Sequence, residues 1–115
     1  MFSNYLSTLK RLINNARTLI EETTLTDLQR QFAVNIQDEA EALHELLVII
    51  PDFASGNANE LLAYDGRSHL NNIIGYAETL LEEHEGELDN YQRSLVTIMH
   101  ISGEALLKQL NEMVG

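Results

Sequence analysis

Six consecutive residues hold the densest chemistry in this chain. Tyr64, Asp65, Gly66, Arg67, Ser68 and His69 bring a phenol, a carboxylate, a guanidinium, a hydroxyl and an imidazole together. Imidazole is the side chain whose charge changes near neutral pH, so it suits nucleophilic and proton-carrying work. On a helix, Asp65 stands one turn before His69, at the spacing where a carboxylate can reach the ring. Arg67 offers a planar fork that recognises carboxylates by charge and shape. As a group, Tyr64, Asp65, Arg67, Ser68 and His69 form either a recognition patch or a plain solvated face.

Three further histidines, His44, His84 and His100, fall beside apolar positions or near a helix end. A cation near a helix C-terminus is favoured by the helix dipole, which suits His84. No two histidines stand four apart beside an acid, so neither a metal nor another cofactor is expected. Glu78, Glu82, Glu83, Glu85, Glu87 and Asp89 crowd one stretch. Such a run can dock a basic partner or a divalent cation. We read it as a solvated helix end that aids solubility, because the ordered Asp-x-Asp-x-Asp-Gly loop of calcium sites is missing from it.

These residues need a scaffold, and composition limits which. The chain has 115 residues, the length of one domain that can bury a core without disulfides or metals. With 44% hydrophobic residues it is globular rather than disordered. Cysteine is absent, which removes thiol chemistry and Cys-based zinc sites. Neither a membrane-length apolar run nor a basic-then-apolar leader is present, so a cytoplasmic protein is expected. The net charge of −11 repels nucleic acid and anionic membranes.

The order of the residues predicts four helices. Leu9, Leu12, Ala16 and Leu19 recur at helical spacing, widened by Leu6, Ile13 and Ile20. Thr26-Asp27-Leu28-Gln29 is a capping-box pattern that starts a second helix near Thr26. Its predicted stripe is Leu25, Leu28, Phe32, Ile36, Leu43, Leu47 and Ile50, ended by Pro51. Residues 51–57 read as a loop, and Asn57 as the cap of a third helix. That helix carries Leu62, Gly66, Leu70, Ile73, Ala77 and Leu80, with Gly86 as its predicted C′ residue. A fourth carries Leu88, Tyr91, Leu95, Met99, Leu106, Leu110 and Met113. Phe2, Tyr5, Leu6 and Val114 read as packing within the same assembly.

The two halves resemble each other. Ala16–Glu22 aligns with Ala77–Glu83 at an offset of 61, and Gln29-Arg30 with Gln92-Arg93 at an offset of 63. Glu41-Ala42-Leu43 meets Glu104-Ala105-Leu106 in the second register. One amphipathic hairpin cannot bury its apolar stripe alone, whereas two packed about a pseudo-twofold axis can. The expected fold is therefore an all-α, antiparallel four-helix bundle of two similar hairpins, at 2–50 and 58–114.

Residues 64–114 resemble the dimerisation and histidine-phosphotransfer domain of bacterial sensor histidine kinases. The resemblance is carried by Leu70-Asn71-Asn72-Ile73-Ile74-Gly75-Tyr76-Ala77-Glu78 and by Ser102-Gly103-Glu104-Ala105-Leu106-Leu107. It reaches the first half only through the internal repeat. In that family the phosphoacceptor box reads His, acid, any residue, Arg, Thr or Asn, Pro, Leu, Asn. Here Tyr64 stands at the acceptor position, Asp65 at the acid, Arg67 at the arginine, Ser68 at the Thr/Asn and His69 at the proline. Ser3 is the counterpart of Tyr64 in the first half. A phenol keeps its proton at neutral pH and is a poor replacement for a nucleophilic ring nitrogen. Nor do these residues contain a Gly-rich phosphate loop, so a complete kinase is not expected.

The resemblance implies a two-component signalling module that works by protein–protein contact. Its expected partner is a response-regulator receiver domain or an output domain, met through Tyr64, Asp65, Arg67, Ser68 and His69. Two other readings stand beside it. In one, His69 is a displaced phosphoacceptor in a phosphorelay. In the other, the bundle is a structural dimerisation unit. The bundle can be complete in one chain or formed by a homodimer that exchanges hairpins.

Overall fold

The computed structural model describes residues 3–49, 56–84 and 86–114. It contains helices α1 (Ser3–Glu22), α2 (Asp27–Ile49), α3 (Gly56–Leu81) and α4 (Asn90–Val114). They run antiparallel in a four-helix bundle about 45 Å long. Each helix packs on its neighbours in sequence, and α4 closes the ring against α1. The α1–α2 and α3–α4 turns therefore share one end.

Helical periodicity accounts for the core. Leu9, Leu12, Ala16 and Leu19 from α1 meet Ile36, Leu43 and Leu47 from α2. The second hairpin adds Leu62, Leu70, Ile73, Ala77 and Leu80 from α3 and Met99, Leu106 and Leu110 from α4. Each fully buried Leu or Ile contributes about 1.5–3 kcal/mol by leaving water. The buried positions repeat as the sequence does. Leu9, Leu12, Ala16 and Leu19 recur 61 residues on as Leu70, Ile73, Ala77 and Leu80. Gln29, Ala33, Ile36, Ala40, Leu43 and Leu47 recur 63 residues on as Gln92, Val96, Met99, Gly103, Leu106 and Leu110.

The repeat also governs the capped end. Thr26 caps α2: the Gln29 N–H donates to Thr26 Oγ1 at 3.1 Å, and Gln29 Oε1 accepts from the Thr26 N–H at 2.9 Å. Asp89 and Gln92 build the same box on α4, with bonds of 2.9 and 2.7 Å. Each glutamine then spends its amide nitrogen on the opposite hairpin. Gln29 Nε2 donates to the Glu87 carbonyl at 3.2 Å, and Gln92 Nε2 to the Thr24 carbonyl at 2.7 Å. Both glutamines are buried, which is stable only because their polar atoms are paired.

Several expectations change. Leu28 and Tyr91 were placed on the apolar stripes but are more than half exposed. Gln29 and Gln92, one residue later, turn inward instead. Leu88 lies before α4 rather than in it, and Gly56 and Asn57, expected in the loop, belong to α3. Helix α3 ends at Leu81, well before Gly86. The left-handed residue after it is Glu83, at φ 61°, whose carboxylate pairs with Arg93. Gly86 has its own need for glycine, with φ 134° and a Cβ position only 3.0 Å from Gln29 Nε2. Gly66 is buried where a Cβ would sit 2.8 Å from Leu110 Cδ2, so the missing side chain lets α3 approach α4. Ile50, Pro51 and the rest of the loop to 55 lie outside the described residues, as does Phe2.

Candidate functional site

The middle of α3 carries all five singled-out residues, and the helix turns them in three directions. Tyr64 and Ser68, four apart, face solvent, and Tyr64 is 78% exposed. Arg67 turns toward α4, where its Nε donates to Asn111 Oδ1 at 2.6 Å. Asp65 and His69, again four apart, turn toward α2. There they line a shallow groove with Ala42, Glu45, Leu46 and Val48. The five side chains thus form a continuous ridge and its two flanks rather than one converging cluster.

His69 is the best-positioned of them. Its Nδ1 lies 2.8 Å from Glu39 Oε2, across the α2–α3 seam, and both side chains are about three-quarters buried. A carboxylate accepts only, so a neutral His69 ring donates through Nδ1–H. Its Nε2 then keeps the lone pair, and it makes no hydrogen bond to a described residue. The sequence pointed to Asp65 as the group reaching this ring. Glu39 occupies that role instead, because the bundle brings it in from a different helix.

Two of the other histidines also lie beside acids. His100 Nδ1 lies 3.2 Å from Glu104 and its Nε2 lies 3.3 Å from Glu78, which links α4 to α3. His84 Nε2 lies 3.2 Å from Glu82 in the turn after α3. His44 is half-buried on α2, beside both the α2–α3 groove and a second one toward α1. Among the described residues, no group of three His, Cys, Asp or Glu side chains is arranged to hold a metal ion. No described helix is long and apolar enough to cross a membrane.

No protein-family model, curated protein or solved structure matches the chain.

Two features escaped the sequence reading. The Glu39–His69 pair joins residues thirty apart in sequence, and no local pattern announces it. Tyr5 is the other. It is buried, its hydroxyl makes no hydrogen bond to a described residue, and burial pushes its phenol well above the ordinary value. Its counterpart at offset 61 is Gly66, so one register position holds a ring in one half and nothing in the other.

Proposed function

We propose that this chain is a cytoplasmic signalling module of the two-component type, acting by protein–protein contact through α3. The ridge of Tyr64 and Ser68, with Asp65 on its α2 flank, is the docking surface for a receiver domain or an output domain. The observation that carries the reading is the exposure of Tyr64 at the position where the resembling family places its acceptor. A large, amphipathic ring standing free on a rigid helix supplies contact area at low entropic cost, as anchors at interfaces do. Arg67 is spent on Asn111, so it supports the ridge more than it reaches out. The test is calorimetric titration with a panel of receiver domains. Tyr64→Ala and Asp65→Lys should weaken binding at least tenfold, whereas His69→Ala should leave it near wild type.

A second reading, a phosphorelay carrier, draws support from the Glu39–His69 geometry. An imidazole held through Nδ1 presents Nε2 as a nucleophile. The ring nitrogen would take a phosphoryl group from a phosphorylated donor, forming a P–N bond as the donor's bond to phosphorus breaks. Acid-labile phosphate on the wild type that is lost in His69→Ala identifies this activity. Its absence, with receiver binding intact, leaves docking as the function.

A further inference from the structure

The internal repeat supplies its own control for the surface. Each long face of the bundle has a pseudo-symmetric mate: the α1–α4 face corresponds to the α3–α2 face. On α4, Ile98 is 48% exposed and Ile101 is 60% exposed. Their counterparts on α2, at offset 63, are Asn35 and Asp38. The fold therefore does not require isoleucine at these outward positions. Beside them, Arg11, Asn14 and Asn15 of α1 border a shallow groove with Ile98 and Ser102. Of the cations on α1, Arg11 borders this side, whereas Lys10 and Arg17 line the groove toward α2. One long side is thus apolar at its centre, with Arg11 at its edge.

The opposite side is its complement. The α2–α3 groove is lined by Ala42, Leu46 and the exposed Val48, with Glu45, Asp65, His44 and His69 along it. Apolar knobs beside Arg11 meet an apolar trough that carries Glu45 and Asp65, and both belong to this chain. A side of a bundle measuring 45 × 21 × 19 Å offers on the order of 900 Å², enough for the ~800 Å² per partner of a standard interface. The overall negative charge opposes association at long range. At physiological salt, however, charges more than about 8 Å apart are largely screened, whereas contacting pairs are not.

We propose that the α1–α4 face, through Ile98, Ile101 and Arg11, docks into the α2–α3 groove of a second copy of this chain. The contact is head-to-tail, because each copy uses a different face. It leaves one knob and one groove free at the ends, so assembly continues with concentration. The groove shares Asp65 with the proposed receiver-docking surface, so the two partners would compete there, and the groove variant below leaves Tyr64, Asp65 and His69 untouched.

Sedimentation equilibrium at physiological salt decides it. Three proteins are compared: wild type, a knob variant (Ile98→Asp with Ile101→Asp) and a groove variant (Glu45→Lys with Val48→Asp). All the altered positions are at the surface, and circular dichroism checks that helix content is unchanged. Wild-type mass should rise with concentration above the 13.0 kDa of one chain. Each variant alone should stay at 13.0 kDa, and their equimolar mixture should reach twice that value and stop. A wild type that remains one chain up to millimolar concentration overturns the proposal and leaves the face to a different protein. A knob variant that dissociates while the groove variant still self-associates also overturns it, in favour of a twofold contact between like faces.

Discussion

Gln29 and Gln92 each cap their own helix and reach across to the other hairpin's turn. The acceptors, the Thr24 and Glu87 carbonyls, are themselves related by the repeat offset of 63. The lock is uneven, since Gln92 Nε2 also approaches Thr23 Oγ1 at 3.2 Å, whereas among the described residues Gln29 Nε2 donates to Glu87 alone. Replacing either glutamine with leucine leaves buried backbone groups unpaired and breaks a capping box, a loss of about 1–3 kcal/mol. Gln92→Leu should cost more than Gln29→Leu. Urea denaturation midpoints of the two variants give the ranking.

Gly86→Ala should destabilise the same end. Its φ of 134° is one that side-chain-bearing residues rarely adopt, and the new Cβ would press on Gln29 Nε2 and Thr26 Cγ2 at 3.0 and 3.1 Å. The cost is about 1–3 kcal/mol. Because the strain falls on Gln29, Gly86→Ala combined with Gln29→Ala should cost less than the sum of the two singles. Additive losses would show that the turn and the cap are uncoupled.

Tyr5 gives the fold an alkaline weakness. Its folded-state proton is held more tightly than in the unfolded chain, where a phenol loses it near pH ~10. Below that pH both states are protonated and stability is intact. Above it the unfolded chain alone releases the proton, so stability falls by up to ~1.4 kcal/mol per pH unit. Tyr5→Phe removes this slope and a buried hydroxyl that makes no hydrogen bond to a described residue, so the variant should be no less stable at neutral pH. Thermal melts of both proteins between pH 7 and 11 would reveal the difference.

The Glu39–His69 contact predicts a ring tautomer. In the wild type at a pH where the ring is neutral, nitrogen-15 NMR should place the His69 proton on Nδ1. Glu39→Ala should return the ring to the mixture of free imidazole, which favours Nε2–H. An unchanged tautomer in the variant would mean that Glu39 does not orient the ring.

Much of the bundle was legible because leucine spacing and a repeat constrain the same four helices. Thr26–Gln29 could be read as a cap from four residues. Asp89–Gln92 carries the same capping signal, and the repeat sets Gln92 in register with Gln29. Register was misjudged where polarity misleads. An apolar stripe through Leu28 and Tyr91 follows hydrophobicity, but the inward positions belong to Gln29 and Gln92, whose amides are satisfied only once both hairpins are present. The α3 ridge was legible as a set of neighbours, not as directions. Helical geometry could set Tyr64 apart from His69, but packing decided that Arg67 meets Asn111 and His69 meets Glu39.

Carrying two near-equal hairpins in one chain has a consequence for how such a protein can change. In a homodimer of identical hairpins, every substitution appears twice and must be tolerable in both places. Here Ile101 can replace what remains Asp38 on the matching helix, and Gly66 can stand opposite a tyrosine in the same register. Covalent linkage frees each half to specialise, so two faces in matching register can fit different neighbours.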